Sequence, residues 1–210
     1  VMDLTAVPHL ATLKTWVPFV NFFDGFRTSH EYHKIEVMDQ EDIRPLVDPA
    51  DIKAFRDRAL SPERPVTRGT AENPETFFTH REACNKYYDK VPEVVEYYLG
   101  KISEITGREY HLFNYYGAED AENVIILMGS ATEAAHEAID YLTKQGEKVG
   151  MVSVHLYRPF SVKHLLAAVP KTAKKNAVLD RTCPLYTSDA ADRLPTVNHD
   201  GASNNKNKKT

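Results

Sequence analysis

The sequence predicts an α/β protein: an incomplete α/β domain followed by a three-layer open parallel-sheet domain. Three observations carry this. Residues 124–179 alternate short apolar runs with helical stretches, strand–helix–strand–helix–strand with short loops, the pattern of a parallel sheet joined by crossovers. Near the amino end, Leu4, Val7, Leu10 and Leu13 recur at helical spacing and lead straight into an apolar run at residues 17–23. Between these parts, Val91, Val94, Val95, Tyr98, Leu99, Ile102 and Ile105 make one face of a clear amphipathic helix.

In chain order, Asp3 to Lys14 reads as a helix that starts late or kinks at Pro8. The run Val17-Pro18-Phe19-Val20-Asn21-Phe22-Phe23 is rich in β-branched and aromatic residues and is expected to be a strand buried on both faces. Helix then strand is half of a βαβ unit, whose first strand is expected upstream of Val1. The loop that follows would leave the strand's carboxyl end, where ligands sit in open α/β sheets. It brings together a carboxylate, a guanidinium, two hydroxyls and an imidazole, so Asp24, Arg27, Thr28, Ser29 and His30 are the candidate pocket-lining residues. The plainer alternative is a capped turn, with Thr28 or Ser29 opening a helix and Arg27 paired to a carboxylate.

Residues 31–37 are expected to continue as helix or its cap. His30 and His33 have the spacing of two metal ligands on one helical face, but no third ligand stands nearby, and surface histidines are the plain reading. Residues 40–47 and 49–60 read as short helices, with Pro49 in a first turn. Residues 61–65 are a break. The stretch Arg68-Gly69-Thr70-Ala71-Glu72-Asn73-Pro74 reads as an irregular loop with a turn at Asn73-Pro74; it is either a phosphate cradle or an ordinary loop. Phe77, Phe78, Tyr87 and Tyr88 suggest packing against a protein surface. The helix at residues 92–106 ends at Gly107, and the domain boundary is placed just before or along it.

Residues 124–128 then form a buried strand, and Gly129 turns the chain. Ser130-Ala131-Thr132-Glu133 has the form of a capping box, opening a helix that Gly146 ends. Residues 149–156 are the next strand, Ser161 caps a helix through Val169, and residues 177–179 are a third strand. The strand–Gly–Ser–helix turn could receive an anion at the helix N-terminus, although it lacks a full Gly-x-Gly-x-x-Gly. Arg158, at a strand's carboxyl end, is a functional cation or a structural ion pair at a domain contact, the second being preferred.

The totals exclude several classes. A formal net charge of -4 and a pI near 6.2 give no reason to expect nucleic acid or an anionic membrane as partner. No apolar run approaches the about 20 residues that span a bilayer. Val1-Met2-Asp3-Leu4 has no basic leader. Two cysteines, Cys84 and Cys183, make neither a disulfide framework nor a cluster site and fit a reducing compartment.

The segment Phe22-Phe23-Asp24-Gly25-Phe26-Arg27-Thr28-Ser29-His30-Glu31 closely resembles a signature of pyruvate:ferredoxin (flavodoxin) oxidoreductases. So do Arg68-Gly69-Thr70-Ala71-Glu72-Asn73-Pro74, Arg81-Glu82-Ala83, Tyr115-Tyr116-Gly117-Ala118, Met128-Gly129-Ser130, Leu156-Tyr157-Arg158-Pro159-Phe160 and Leu179-Asp180-Arg181-Thr182, in the family's order. The resemblance implies a thiamine-binding-type domain, pyrimidine side, ending in residues 1–88, and a transketolase-C-terminal-like domain over residues 89–182. It also implies oxidative decarboxylation of pyruvate, with electrons passed through iron–sulfur clusters to ferredoxin or flavodoxin and the acetyl group to coenzyme A. The full-length enzyme would use thiamine diphosphate, magnesium and iron–sulfur clusters, form a homodimer and work in the cytoplasm or an anaerobic organelle.

Family members are several times longer, and the first residue here is Val, so an internal piece is expected, packed against the rest of its own polypeptide. No catalytic or metal-ligating residue of the family matches a position here. The isolated chain is therefore expected to hold none of the cofactors and to be inactive. Residues 183–210 look foreign: Cys183 to Asp192 resembles a translated sequencing adapter, and the rest is polar and aperiodic, so a disordered, non-native tail is expected. Two alternatives stay open, a related 2-oxoacid:ferredoxin oxidoreductase and a non-catalytic α/β packing or binding module.

Overall fold

The structure, a computed structural model, describes residues 1–179 except Phe26, Arg68, Thr70 and the side chain of Arg27. The expected non-native tail at 183–210 lies outside the described residues. The chain divides into two compact units. One comprises Val1–Phe23, His30–Leu112 and Leu156–Ser161; the other comprises Asp24–Ser29, Phe113–His155 and the described residues from Val162 to Leu179.

In the first unit, helix α1 (Met2–Thr15) packs against the long helix α7 (Val91–Thr106). The predicted stripes meet here. Val7, Leu10 and Ala11 of α1, and Val91, Val95, Tyr98, Leu99 and Ile102 of α7, are all buried. Each such aliphatic side chain contributes about 1.5–3 kcal/mol by leaving water. Pro8 lies inside α1. Gly107 closes α7 at φ 69°, its N–H donating to the Ser103 carbonyl (2.9 Å), as the C-cap rule predicts. The remaining helices are short: α2 (Arg27–His30), α3 (Gln40–Ile43) with a tighter turn at Arg44–Leu46, α4 (Pro49–Asp57), α5 (Pro74–Ala83) and α6 (Asn85–Tyr88). Pro49 opens α4, and the Asp48 carboxylate accepts the Ala50 N–H at 2.8 Å. Trp16 ends α1 in the left-handed region (φ 66°); its indole lies 3.8 Å from the Arg58 guanidinium and stacks on Tyr87.

Three expectations fail in this unit. Residues 17–23 are not a strand. A strand exists only where a neighbour completes its ladder, and among the described residues no backbone–backbone hydrogen bond reaches this run. Residues 31–37 are not helical: Tyr32, Ile35 and Val37 are exposed, so no buried face holds a helix there. Asn73-Pro74 does not make a turn but opens α5, where the missing proline N–H costs nothing.

The second unit holds a four-stranded sheet of β1 (Phe113–Gly117), β2 (Asn123–Leu127), β3 (Val149–Val154) and β4 (Lys175–Val178), in the order β1-β3-β2-β4. β2 pairs in parallel with both β3 and β4, which confirms the predicted crossover pattern. Helices α8 (Ala131–Lys144) and α9 (Val162–Ala168) accompany it, and Gly146 follows α8 at φ 89°. The core forms where Leu127, Ile139 and Met151 meet, with Tyr116, Ile125, Ala135 and Val149 packed around them.

The sheet is α/β as expected but not wholly parallel: β1 is an added edge strand, antiparallel to β3. Tyr115-Tyr116-Gly117 carries no apolar alternation that would announce it. What admits β1 is glycine paired with glycine, Gly117 opposite Gly150. Gly117 sits at φ 135°, and a Cβ there would fall 2.5 Å from the Gly150 Cα. The Tyr115 hydroxyl, which lies over Gly150, donates to the Ala118 carbonyl.

Candidate functional site

The signature loop begins at Asp24, and the second unit fixes that residue. β2 ends at Leu127, Gly129 turns the chain at φ 77°, and α8 starts at Ala131. The Asp24 carboxylate accepts the Ser130 N–H at 2.6 Å. Gly129 is needed twice over. Its φ is left-handed, and a Cβ there would stand 2.7 Å from Asp24 Oδ2.

This overturns the predicted capping box. The Ser130 side chain makes no cap; Thr132 instead donates its hydroxyl to the Gly129 carbonyl at 2.8 Å. The anion at the start of α8 is Asp24 itself, 106 positions earlier in the chain. A carboxylate suits this place, because the unpaired N–H groups and aligned peptide dipoles of a helix make its first turn positive.

Of the other candidate residues, Thr28 and Ser29 follow on α2 with exposed side chains, and belong with Asp24 to the second unit. His30, also exposed, ends α2 and belongs to the first unit. Arg27 starts α2, and its side chain lies outside the described residues. His33 pairs with Glu31 (3.2 Å). Among the described residues, no three His, Cys, Asp or Glu side chains stand at metal-binding spacing. In the Gly69 loop, Arg68 and Thr70 lie outside the described residues, while Gly69 itself takes φ 79°. The Arg158 guanidinium lies 5.2 Å from the Tyr157 ring centroid, and no carboxylate pairs with it among the described residues. The contact shown for Arg158 is a cation–π contact between sequence neighbours. Phe77 and Phe78 are exposed, whereas Tyr87 stacks on Trp16.

Two polar clusters of the first unit escaped the sequence. Asp3, buried on α1, accepts from Arg108 Nε and from the Tyr110 hydroxyl, both at 2.7 Å. Burial alone would push this carboxyl up; the two hydrogen bonds outweigh it and hold Asp3 below the usual carboxylate range. The same contact raises Arg108 further above its ordinary value. Nearby, His111 Nδ1 lies 2.5 Å from Glu96 and Nε2 lies 3.0 Å from Glu109. The Glu96 hydrogen bond, against some desolvation, raises the imidazole above its ordinary value. The other Glu96 oxygen accepts the Leu112 N–H at 2.9 Å. Both clusters tie down helix faces. No signal in the local sequence marks the first, since Asp3 and Arg108 lie 105 positions apart.

Residues 1–99 match the family model described as pyruvate flavodoxin/ferredoxin oxidoreductase, thiamine diphosphate-binding. Residues 121–195 match that of pyruvate:ferredoxin oxidoreductase core domain II. Among curated relatives, a pyruvate-flavodoxin oxidoreductase of Enterobacter agglomerans is 59% identical over 182 residues, covering 87% of this chain and 16% of that protein. A pyruvate:ferredoxin oxidoreductase of Moorella thermoacetica is 56% identical over 182 residues, with the same coverage of each. A pyruvate-flavodoxin oxidoreductase of Nostoc is 44% identical over 212 residues, covering 98% of this chain and 17% of that protein. The chain thus spans about one sixth of the length of these relatives. The core-domain match and the Nostoc alignment both extend past Thr182.

Proposed function

We propose that this chain, which belongs to the pyruvate flavodoxin/ferredoxin oxidoreductase family, is the part of such an enzyme that carries its Asp-Gly-Phe-Arg-Thr-Ser-His loop and anchors that loop on the following domain. The longer enzyme would decarboxylate pyruvate oxidatively on thiamine diphosphate, pass the electrons through iron–sulfur clusters to ferredoxin or flavodoxin, and transfer the acetyl group to coenzyme A. It would work as a homodimer in the cytoplasm or an anaerobic organelle. In this reading residues 1–88 close the pyrimidine-side domain and residues 89–182 form the transketolase-C-terminal-like domain.

The observation that carries the reading is the fixed position of Asp24. A carboxylate bound at 2.6 Å to the first turn of α8 sets where the signature loop begins. Arg27, Thr28 and Ser29 follow in the same unit as the pocket-lining residues, with Asp24 as their anchor.

The first turn of α8, where an anion would be received, is occupied by the Asp24 carboxylate. Magnesium and the iron–sulfur clusters would be held by the remainder of the enzyme.

Calorimetric titration of the isolated chain with thiamine diphosphate and magnesium is expected to show no micromolar binding. The 182 matched residues, exchanged into the Enterobacter agglomerans enzyme, are expected to support pyruvate-dependent reduction of flavodoxin. A chimera that assembles with its cofactor and does not act on pyruvate overturns the proposal.

A further inference from the structure

A single peptide unit joins the signature loop to the start of α8. The Ser130 N–H that donates to Asp24 and the Gly129 carbonyl belong to the same planar trans peptide, so they point in opposite directions and turn together. One residue holds the carbonyl end twice. Thr132 donates its backbone N–H at 3.1 Å and its hydroxyl at 2.8 Å to the Gly129 oxygen. The need for such a lock comes from Gly129 itself. Glycine passes between left-handed and right-handed backbone at little cost, and a rotation of the 129–130 peptide would turn its carbonyl toward Asp24 and its N–H away. Packing cannot prevent that rotation, because Gly129 and Ser130 are both exposed. Ser130 gives no side-chain cap, so the turn is held by Thr132. A carbonyl that accepts two hydrogen bonds also polarises the N–H of its own peptide, which strengthens the bond to the carboxylate.

We infer that Thr132 is a positioning residue for the signature loop: its hydroxyl orients the 129–130 peptide so that the Ser130 N–H holds Asp24, and Asp24 in turn sets where Arg27, Thr28 and Ser29 begin. This rests on the proposed reading of that loop as the lining of a pyruvate pocket. Thr132 acts through a peptide plane and a carboxylate and is assigned no contact with substrate. The role requires a hydroxyl donor at this position, so serine can fill it, whereas valine, with the same branching and no donor, cannot.

The test reads the Ser130 amide by nuclear magnetic resonance in the full 210-residue chain, labelled with nitrogen-15. In Thr132→Val the Ser130 amide proton is expected to move upfield, toward the position it takes in Asp24→Ala, and the Thr28 and Ser29 amides are expected to move with it. Thr132→Ser is expected to restore all three. Thr132→Ala repeats the measurement should the valine variant fail to fold. A Ser130 resonance that stays in place when the hydroxyl is removed overturns the inference. The same variants are then made in the chimera with the Enterobacter agglomerans enzyme. Thr132→Val is expected to raise KM for pyruvate about three- to tenfold, the worth of one hydroxyl hydrogen bond, with kcat held within about twofold, and Thr132→Ser to restore KM. A lowered melting temperature with KM unmoved would make the hydroxyl merely structural and overturns the inference as well. The two proposals fail separately. An active chimera in which Thr132→Val changes neither the Ser130 resonance nor KM overturns only this inference. A folded, cofactor-holding chimera that leaves pyruvate unoxidised overturns the enzyme assignment, and the Ser130, Thr28 and Ser29 resonances then decide the role of Thr132 alone.

Discussion

The contact between Asp24 and the Gly129-Ser130 turn can be tested as a pair. Asp24→Ala deletes a charge-assisted hydrogen bond of 2.6 Å. Such bonds contribute about 1.5–3 kcal/mol, and because Asp24 is only half-buried the lower end applies, about 1.5 kcal/mol. Gly129→Ala acts twice. At φ 77° an added Cβ costs about 1–2 kcal/mol of backbone strain. Standing 2.7 Å from Asp24 Oδ2, it also displaces the carboxylate and breaks the same bond. The bond can be lost only once. The cycle should therefore close with a coupling of about 1–1.5 kcal/mol, less than additive. Urea unfolding followed by far-ultraviolet circular dichroism on the four proteins gives that number. Additivity within about 0.3 kcal/mol would refute the reasoning, since Gly129 would then be feeling only its own backbone and not Asp24.

Further predictions concern the rest of the fold. Asp3→Asn should flatten the acid limb of the melting temperature against pH. With its folded value depressed, Asp3 adds stability that is present above the unfolded carboxylate's value and lost as pH falls through the lower folded value. An unchanged limb would remove Asp3 from the account. His111→Gln should flatten the opposite side, measured by melting from about pH 6 upward. A raised imidazole adds stability that is full below its unfolded value and lost as pH rises through the folded one, and half-exposure of the ring keeps the effect small. Met151→Ala, at a fully buried position, should cost about 2–5 kcal/mol in the same urea experiment. A loss under about 1 kcal/mol would mean that the sheet core does not close around Met151.

Much of this fold was legible because its signals are local. The stripes of α1 and α7, Pro49 opening α4, the glycines after α7 and α8, and the β2–α8–β3 succession each depend on residues a few positions apart. What escaped depends on partners far along the chain. β1 joins because Gly117 faces Gly150, and nothing near Tyr115 announces that pairing. The α8 cap looked like Ser130 and Glu133, yet a carboxylate 106 residues away takes the place. The run at residues 17–23 shows the same limit from the other side. Its composition was read correctly as β-prone, but composition cannot supply the neighbour that makes a strand. At the candidate site the sequence identified the loop and, separately, the Gly-Ser turn; only the fold revealed that Asp24 joins them.

The measurement closest to the central claim is the rate of pyruvate-dependent flavodoxin reduction by the Enterobacter agglomerans enzyme carrying this chain's 182 matched residues. Turnover within about tenfold of the parent enzyme is the predicted result, a barrier change of no more than about 1.4 kcal/mol. A chimera that folds, holds its cofactor and leaves pyruvate unoxidised would contradict the assignment and favour a non-catalytic packing module.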